Sequence, residues 1–433
     1  MYLLLMNSVQ QKVFDSYLDS ENIFLTGPGG SGKSYLIKKI YSHATEHGRK
    51  ICVTALTGVA ALLLECKATT IHTWAGVGIC KKNNDMIIKN VLSSKFKLQN
   101  WLNTEILIID EISMMSDKMF ELLDTIGRKI LKNNKPFGGI QMILSGDFFQ
   151  LPPIGESKFC FENELFLKSF NSVYALTVIY RQNDIVYKKI LNNLRIGKIF
   201  RSGINKLESR LIENLNVELD ENITRLLPTK NKVAIINNQY LLKIKSKSFY
   251  YKRNYSENVE NLSQLQLEKL KSMNEKEKEF EYKYIKDSTL TEETLELKKG
   301  AFVMCIANID PEIVNGSQGV VLDFDKNDNP IIQFKNTKRT ITIHSWKSDN
   351  IPGLCINQIP IILAWGITIH KAQGLSLNSA IIDVGNDIFE SGQIYVALSR
   401  IKTLGGLYLV NFAINKIKIN SKVIEFYKLN NLI

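Results

Sequence analysis

A chain of 433 residues with 45% apolar and 23% charged side chains can bury more than one core, and its ordinary balance excludes fibrous and disordered classes. The 55 Lys and Arg against 43 Asp and Glu leave a net charge of +12, a balance that attracts polyanions, nucleic acid first among them, although Lys-rich composition alone also produces it. Six cysteines, at 52, 66, 80, 160, 305 and 355, form no CxxC pair, which excludes a disulfide framework or a zinc ribbon and makes a reducing compartment the default.

The opening MYLLLM is too short an apolar run for a signal sequence or a membrane span. No later run is long enough, so a soluble intracellular chain with no membrane partner is expected; nucleus, cytoplasm and viral replication site are not distinguished. Residues 22–26 (NIFLT), 51–55 (ICVTA), 105–109 (EILII) and 141–145 (QMILS) read as buried parallel strands, being short, apolar and bounded by polar residues. Helical patterns fall at about 33–47 and 116–131. His43 and His47 share a helical face, but HATEH lacks the Glu that a zinc-protease motif needs after its first His, so a solvated face is expected. This βαβ series predicts a doubly wound sheet with ligands at the carboxyl ends of the strands. Further on, 223–227, 361–364, 379–384 and 407–411 predict strands of a second α/β lobe. Residues 257–287, dense in Glu and Lys, predict a solvated helix or mobile loop. The short apolar runs of 300–345, punctuated by NG, DN and Gly, predict a compact antiparallel barrel.

Residues 27–34, GPGGSGKS, match GxxxxGK[ST] between an apolar strand and a helical run. Glycines let the backbone turn its N–H groups toward phosphate oxygens, and the helix N-terminus adds positive potential. Lys33 then reaches the β- and γ-phosphates of a nucleoside triphosphate, and Ser34 ligates Mg²⁺. ILIIDE (106–111) ends a buried strand with two carboxylates. Asp110 suits the Mg²⁺ shell and Glu111 suits activation of the attacking water; a helix N-terminal cap is the plain alternative. In SGDFFQLPP (145–153), Gln150 follows a neighbouring strand, where it can sense the γ-phosphate; a Gly and Pro loop is the alternative. No second phosphate loop exists. One site serving two lobes predicts ATP in the cleft between them, which calls for cations such as Arg181 in YRQ and Arg400 in YVALSR.

The ordered set of motifs resembles superfamily 1B DNA helicases, and within them the Pif-one family (petite integration frequency helicases), over about residues 6–412. After the phosphate loop and the acidic pair come SMMSDKMFELLDTIGRKI, NNKPFGGIQ, SGDFFQLPP, YRQ, LLPTKNKV, VNGSQGVV, TIHKAQGLSL and GQIYVALSR. One departure is Leu131, where the family pattern calls for a basic residue.

The resemblance implies an α/β fold of two RecA-like P-loop lobes, parallel sheets flanked by helices, with small inserted subdomains. The first lobe is expected at 1–170, with a Lys-rich, DNA-splitting insertion at about 76–100 running from Lys81 to Lys97. The second is expected at 171–433, with an inserted region at about 240–358 that contains a small β-barrel-like unit. It implies an ATP-dependent DNA helicase that uses ATP and Mg²⁺ and moves 5′ to 3′ as a monomer on single-stranded and forked DNA; a DNA-stimulated ATPase that remodels nucleoprotein without unwinding is the alternative. Adenine is read by Gln10, with Gln11 adjacent. The phosphates are held by Gly27, Pro28, Gly29, Gly30, Ser31, Gly32, Lys33 and Ser34, and the metal by Ser34 and Asp110. Lys33, Asp110, Glu111, Gln150, Arg181 and Arg400 carry the chemistry, and Gln373, Gly374 and Gln393 lie near the nucleotide. DNA contacts fall to Thr57 and Gly58, in a loop at 55–61, to His72, Thr73 and Trp74, and to Thr368, His370 and Lys371. Trp74 is either a base-stacking ring or core.

Overall fold

The computed structural model describes residues 6–433 except 65, 79–82, 171, 216–217, 261, 290, 336 and 349–350, together with the side chains at 95, 96, 265, 269, 276, 280, 284, 287 and 288. The described residues form two compact units, 1–217 with 372–433, and 218–371.

At the centre of the first unit is an all-parallel sheet of β1 (Ile23–Thr26), β2 (Ile51–Ala55), β3 (Thr69–Thr70), β4 (Ile106–Asp110), β5 (Gln141–Gly146) and β6 (Ser172–Ala175), in the order β3-β2-β4-β5-β1-β6. The four expected strands are present with ends displaced by at most one residue. β3 and β6 are additions: one is two residues long and the other half-buried, so neither carries an apolar run. Burial on both faces explains the continuous apolar strands. In β4, Ile106 and Ile108 point into one core with Ile23, Leu25 and Ile143; Leu107 and Ile109 point into the other with Phe24, Met142 and Leu144.

Helices cover both faces. α1 (Ser8–Leu18) and α2 (Lys33–Glu46) contribute Val13, Tyr17, Leu36, Ile37 and Ile40 to the first core. The helix Asp117–Leu131 contributes Met119, Phe120, Leu123 and Ile126 to the second, and Ser116 caps it by accepting from the Met119 N–H. Leu131, the departure from the family pattern, packs against that core beside Gly138. A residue there is partly apolar in its surroundings, which accounts for a Leu in place of a cation. The segment 76–100 holds two short helices, Asn84–Ser93 and Lys95–Leu102. Their Ile87, Ile88 and Val91 enter the second core, as does Trp101; Lys81 lies outside the described residues. Ala380–Val384 and Leu407–Phe412 form a parallel pair, and Phe426 and Tyr427 of the final helix Ser421–Leu429 join the core around Phe24.

In the second unit, Arg225–Leu227 pairs in parallel with Gly366–Thr368, and the helix Lys230–Lys243 is tied to them by Asn237, whose side chain bonds both the N–H and the C=O of Gly366. The expected strand at 361–364 lies elsewhere. Ile361–Leu363 pairs antiparallel with Val303–Cys305, while Gly366–Thr368, too short and too polar to stand out, takes the parallel position. The expected barrel is a five-stranded antiparallel sheet built from 302–305, 318–324, 330–334, 338–340 and 361–363. Its outer strands 338–340 and 361–363 pair on one side only, so the ladder is open among the described residues. The acidic and basic stretch 257–287 becomes the helices Gln264–Ser272 and Glu275–Ser288, whose Leu270 and Ile285 cover Leu354 and Ile356. Sparse apolar positions suffice because each helix buries only a narrow stripe.

Candidate functional site

The phosphate loop follows β1 and opens α2. Gly30 and Gly32 have φ of 82° and 94°, left-handed values that an L side chain adopts at a cost, and Gly32 is the N-cap of α2. A Cβ on Gly30 would stand 2.3 Å from Cβ of Arg181. Glycine is therefore required here by backbone twist and by close packing together. Lys33 donates from Nζ to the carbonyls of Gly27 (2.6 Å) and Pro28 (3.1 Å). Burial pushes its ammonium pKa down, while Asp147, Glu111 and Asp110 oppose that shift. Ser34 is exposed at the same helix end.

β4 and β5 are neighbours, so their carboxyl ends converge on this loop. Asp110 at the tip of β4 is buried and accepts from Ser145 Oγ at 2.7 Å. Burial, and then the charge of Glu111, raise its pKa to about 6. Glu111 itself has φ 56° and ψ 41°, a strained backbone for a non-glycine residue and of a kind that clusters at functional sites. Its Oε2 accepts from Gln373 Nε2 at 2.9 Å.

A cavity of about 340 Å³ lies here, within the first unit. Gly29–Ser34, Asp110, Glu111, Gln150, Arg181, Gly374 and Arg400 line it, with Ala60, Leu63 and Leu64 as an apolar wall. The volume falls within the range of small-molecule sites. A Cβ on Gly29 would meet Arg400 Nη2 at 3.2 Å and Arg181 Nη1 at 3.4 Å, so both guanidinium groups reach the loop. Neither has a carboxylate ion pair among the described residues. Arg181 donates to the Ser399 carbonyl, and Arg400 to Ser399 Oγ and the Val396 carbonyl. Burial, and then the charge of Arg181, lower Arg400 to about 9. Such a pair favours an anion between them. Ser31 Oγ and Gln150 Oε1, both buried, have no hydrogen-bond partner among the described residues. Two cations with no carboxylate ion pair among the described residues, a tight glycine cradle and two unsatisfied polar atoms fit a polyphosphate. Ser34 and Asp110, oxygen donors at its edge, fit a hard divalent cation.

Gln10 is buried, forms a capping box with Asn7, and places Nε2 2.9 Å from where a Cβ on Gly32 would lie. Gln11 instead bonds Asp15 at the surface, so Gln10 is the one turned to the loop. Gln393 is fully buried, and its Oε1 accepts from the N–H groups of Phe389 and Glu390. It belongs to the support of the site and is not among the cavity-lining residues. Thr57 accepts from the Ala60 N–H and starts a helix, Gly58–Leu64, where a loop was expected. The helix forms because Ala60, Ala61 and Leu64 bury on the core. Thr73 and Thr70 share a hydrogen bond at 2.8 Å. Trp74 is 4% exposed with its ring 4.5 Å from that of Trp101, which places it in the core. Burial pushes His72 down to about 4, so it is neutral at pH 7. In the second unit, Thr368 Oγ1 accepts from the Lys371 N–H, burial and Lys230 lower the pKa of His370, and burial also lowers that of Lys371, against the opposing charge of Glu292.

Sequence reasoning missed the scaffold behind the loop. Asp147 is fully buried and receives Arg195 through Nε (2.9 Å) and Nη2 (2.8 Å). Tyr427 donates to it at 3.3 Å, and the Tyr395 hydroxyl accepts from the Gly29 N–H at 3.0 Å. Asp147 and Tyr395 stand inside motifs already noted, but their partners are distant in sequence and carry no local signal.

Residues 5–195 match the PIF1-like helicase family and residues 281–324 match the family described as DNA helicase Pif1, 2B domain. The chain is 32% identical to the ATP-dependent DNA helicase PIF1 of Xenopus laevis, over 98% of this chain and 64% of that protein; it thus spans less than two thirds of that relative's length. The crystal structure of Pif1 helicase from Candida albicans superposes with a TM-score of 0.81 at 30% identity, covering 99% of this chain and 100% of that one. The Bacteroides Pif1 helicase in complex with ADP-AlF3 and ssDNA gives 0.69 at 26%, covering 99% and 98%. With these likenesses along nearly its whole length, the chain belongs to the PIF1-like helicase family.

Proposed function

We propose that this chain is an ATP-dependent DNA helicase that moves 5′ to 3′ along single-stranded DNA as a monomer and separates the strands of forked duplexes. The observation that carries the reading is the convergence of Lys33, Arg181 and Arg400 with Asp110, Glu111 and Gln150 on one cavity. The family's relatives, one of them solved with a nucleotide analogue and ssDNA together, support the same reading.

Lys33 exchanges its bonds to the Gly27 and Pro28 carbonyls for β- and γ-phosphate oxygens. Gln10 reads the base, while Gly374 and Gln373 approach the nucleotide from the side of Glu111. Ser34 and Asp110 would hold Mg²⁺, which would supply positive charge beside the phosphates. Glu111 accepts a proton from water as its oxygen bonds to the γ-phosphorus; the bond from that phosphorus to the bridging oxygen breaks, and ADP leaves. Gln150 orients the water and the γ-phosphate. Arg181 and Arg400 stabilise the charge that spreads over the transferred group.

The tracking strand is gripped by Thr57, Gly58 and His72, with Thr73 and Trp74 stabilising that motif, and by Thr368, His370 and Lys371. We assign lobes to 1–170 and 171–433, the second with its insertion at 240–358. Replacing Lys33 by Ala tests the nucleotide site: ATPase activity and strand displacement are abolished while weak DNA binding, read by fluorescence anisotropy, persists. Full activity in that variant overturns the reading. Hydrolysis stimulated by DNA with no displacement by the unaltered chain favours a remodelling ATPase instead.

A further inference from the structure

Glu111, read above as the group that activates water, is not free in this structure. One of its two oxygens is held at 2.9 Å by the side-chain amide of Gln373, which is 7% exposed. A neutral amide donor on a carboxylate makes a charge-assisted hydrogen bond, stronger than one between neutral groups. The bond fixes the orientation of the carboxylate, so Glu111 can turn toward a water in line with the γ-phosphate only by breaking it. Glu111 also sits in the left-handed region, with φ 56° and ψ 41°, a conformation that the surrounding structure must hold in place.

The location of the restraint connects it to the DNA motifs. Gln373 follows Thr368, His370 and Lys371 in one continuous motif, TIHKAQG. The next residue, Gly374, packs so closely on the helix Gly58–Leu64 that a Cβ there would stand 2.6 Å from Leu63 Cδ1. That helix begins directly after Thr57, and Ala60, Leu63 and Leu64 also line the nucleotide cavity. The turn that carries Gln373 is thus joined by the chain to one proposed DNA grip and by contact to the other. Chain continuity and this close packing are the two routes by which a shift of either grip would reach the amide.

We propose that Gln373 is a positioning residue that restrains Glu111 in the absence of DNA and releases it when single-stranded DNA is held, so that hydrolysis is spent on a bound track. This rests on the reading of Glu111 as the water-activating group. The restraint costs the DNA-free enzyme rate and costs the DNA-bound enzyme little. A merely structural role, or a role in holding nucleotide, has the opposite signature, because loss of the side chain then lowers both rates.

The experiment is steady-state ATP hydrolysis with and without an oligothymidylate, for the unaltered chain, Gln373→Met and Gln373→Ala. The Met variant keeps most of the buried volume and has no donor; the Ala variant removes the side chain. Thermal melts by circular dichroism establish that each is folded. The restraint predicts that both variants raise the DNA-free rate by about tenfold, roughly what one hydrogen bond to a charged group is worth, and that the stimulation by DNA shrinks in proportion. A folded Gln373→Met whose DNA-free rate is unchanged or lower, beside an unaltered chain that DNA stimulates normally, overturns the restraint alone. An unaltered chain that hydrolyses no ATP even with DNA overturns the reading of the site, and the restraint with it.

Discussion

Replacing Arg195 by Met should unfasten the loop that presents Gln150. Arg195 meets Asp147 through two parallel hydrogen bonds of 2.9 and 2.8 Å, and Asp147 is 0% exposed. Burial by itself would lower the guanidinium pKa, yet the charge and hydrogen bonds of Asp147 more than reverse this, so the pair is a strong one. The guanidinium also lies 4.6 Å from the ring centre of Phe149 and 5.4 Å from that of Tyr427. Removing it leaves a buried carboxylate with the Tyr427 hydroxyl and the Phe149 N–H as its described hydrogen-bond donors. Breaking a buried ion pair from one side costs about 3–5 kcal/mol, and loss of the two ring contacts adds about 1 kcal/mol. The Gln150 N–H donates to the Asp147 carbonyl at 2.8 Å, so the damage reaches the site. Native-state hydrogen exchange on peptides covering 141–151 and 421–429 reads it: exchange should accelerate about a thousandfold or more, at about 1.4 kcal/mol per factor of ten. The double variant Asp147→Leu with Arg195→Met should recover most of the protection, because the uncompensated charge is gone. A single variant as protected as the unaltered chain refutes the reasoning, as does a double variant that loses the full sum of the two singles.

Gly30→Ala puts a Cβ where φ is 82° and Arg181 Cβ is 2.3 Å away, so the loop must shift and fluorescent-nucleotide affinity should fall by at least about tenfold; unaltered affinity would contradict the geometry. His72 has its pKa lowered by burial from 6.5 to about 4. Between those values the unfolded chain binds a proton that the fold does not, so stability present above pH 6.5 is lost as pH falls toward 4. The contribution lost is about 2 kcal/mol at pH 5. Chemical-denaturation midpoints should fall less between pH 7 and pH 5 in His72→Gln than in the unaltered chain; equal slopes would refute it.

Most of the residues that line the cavity are legible in the sequence because each part is local. A glycine cradle, a Lys and a Ser sit together at 27–34, and two acids end one apolar strand. The first sheet was legible for the same reason, since strands buried on both faces read as unbroken apolar runs. What escaped depends on contacts across sequence. Ile361–Leu363 has the composition of any buried strand, and only its partner at Val303–Cys305 places it in the antiparallel sheet. The helix Gly58–Leu64 is one short stretch whose core contacts, not its pattern, decide its form. Trp74 carried two readings until Trp101, far along the chain, took its ring into the core. Gln393 and Gln373 lie in equally suggestive motifs, yet one is spent on backbone N–H groups and the other reaches Glu111.

In the proposed function, hydrolysis at Lys33 and Glu111 drives directional movement on a DNA strand. Strand displacement from duplexes carrying a 5′ or a 3′ single-stranded tail, run in parallel with ATP and Mg²⁺, tests it most directly. Displacement is expected from the 5′-tailed duplex, little from the 3′-tailed one, and none from either with Lys33→Ala. Preference for the 3′ tail, or displacement that survives loss of Lys33, would contradict it.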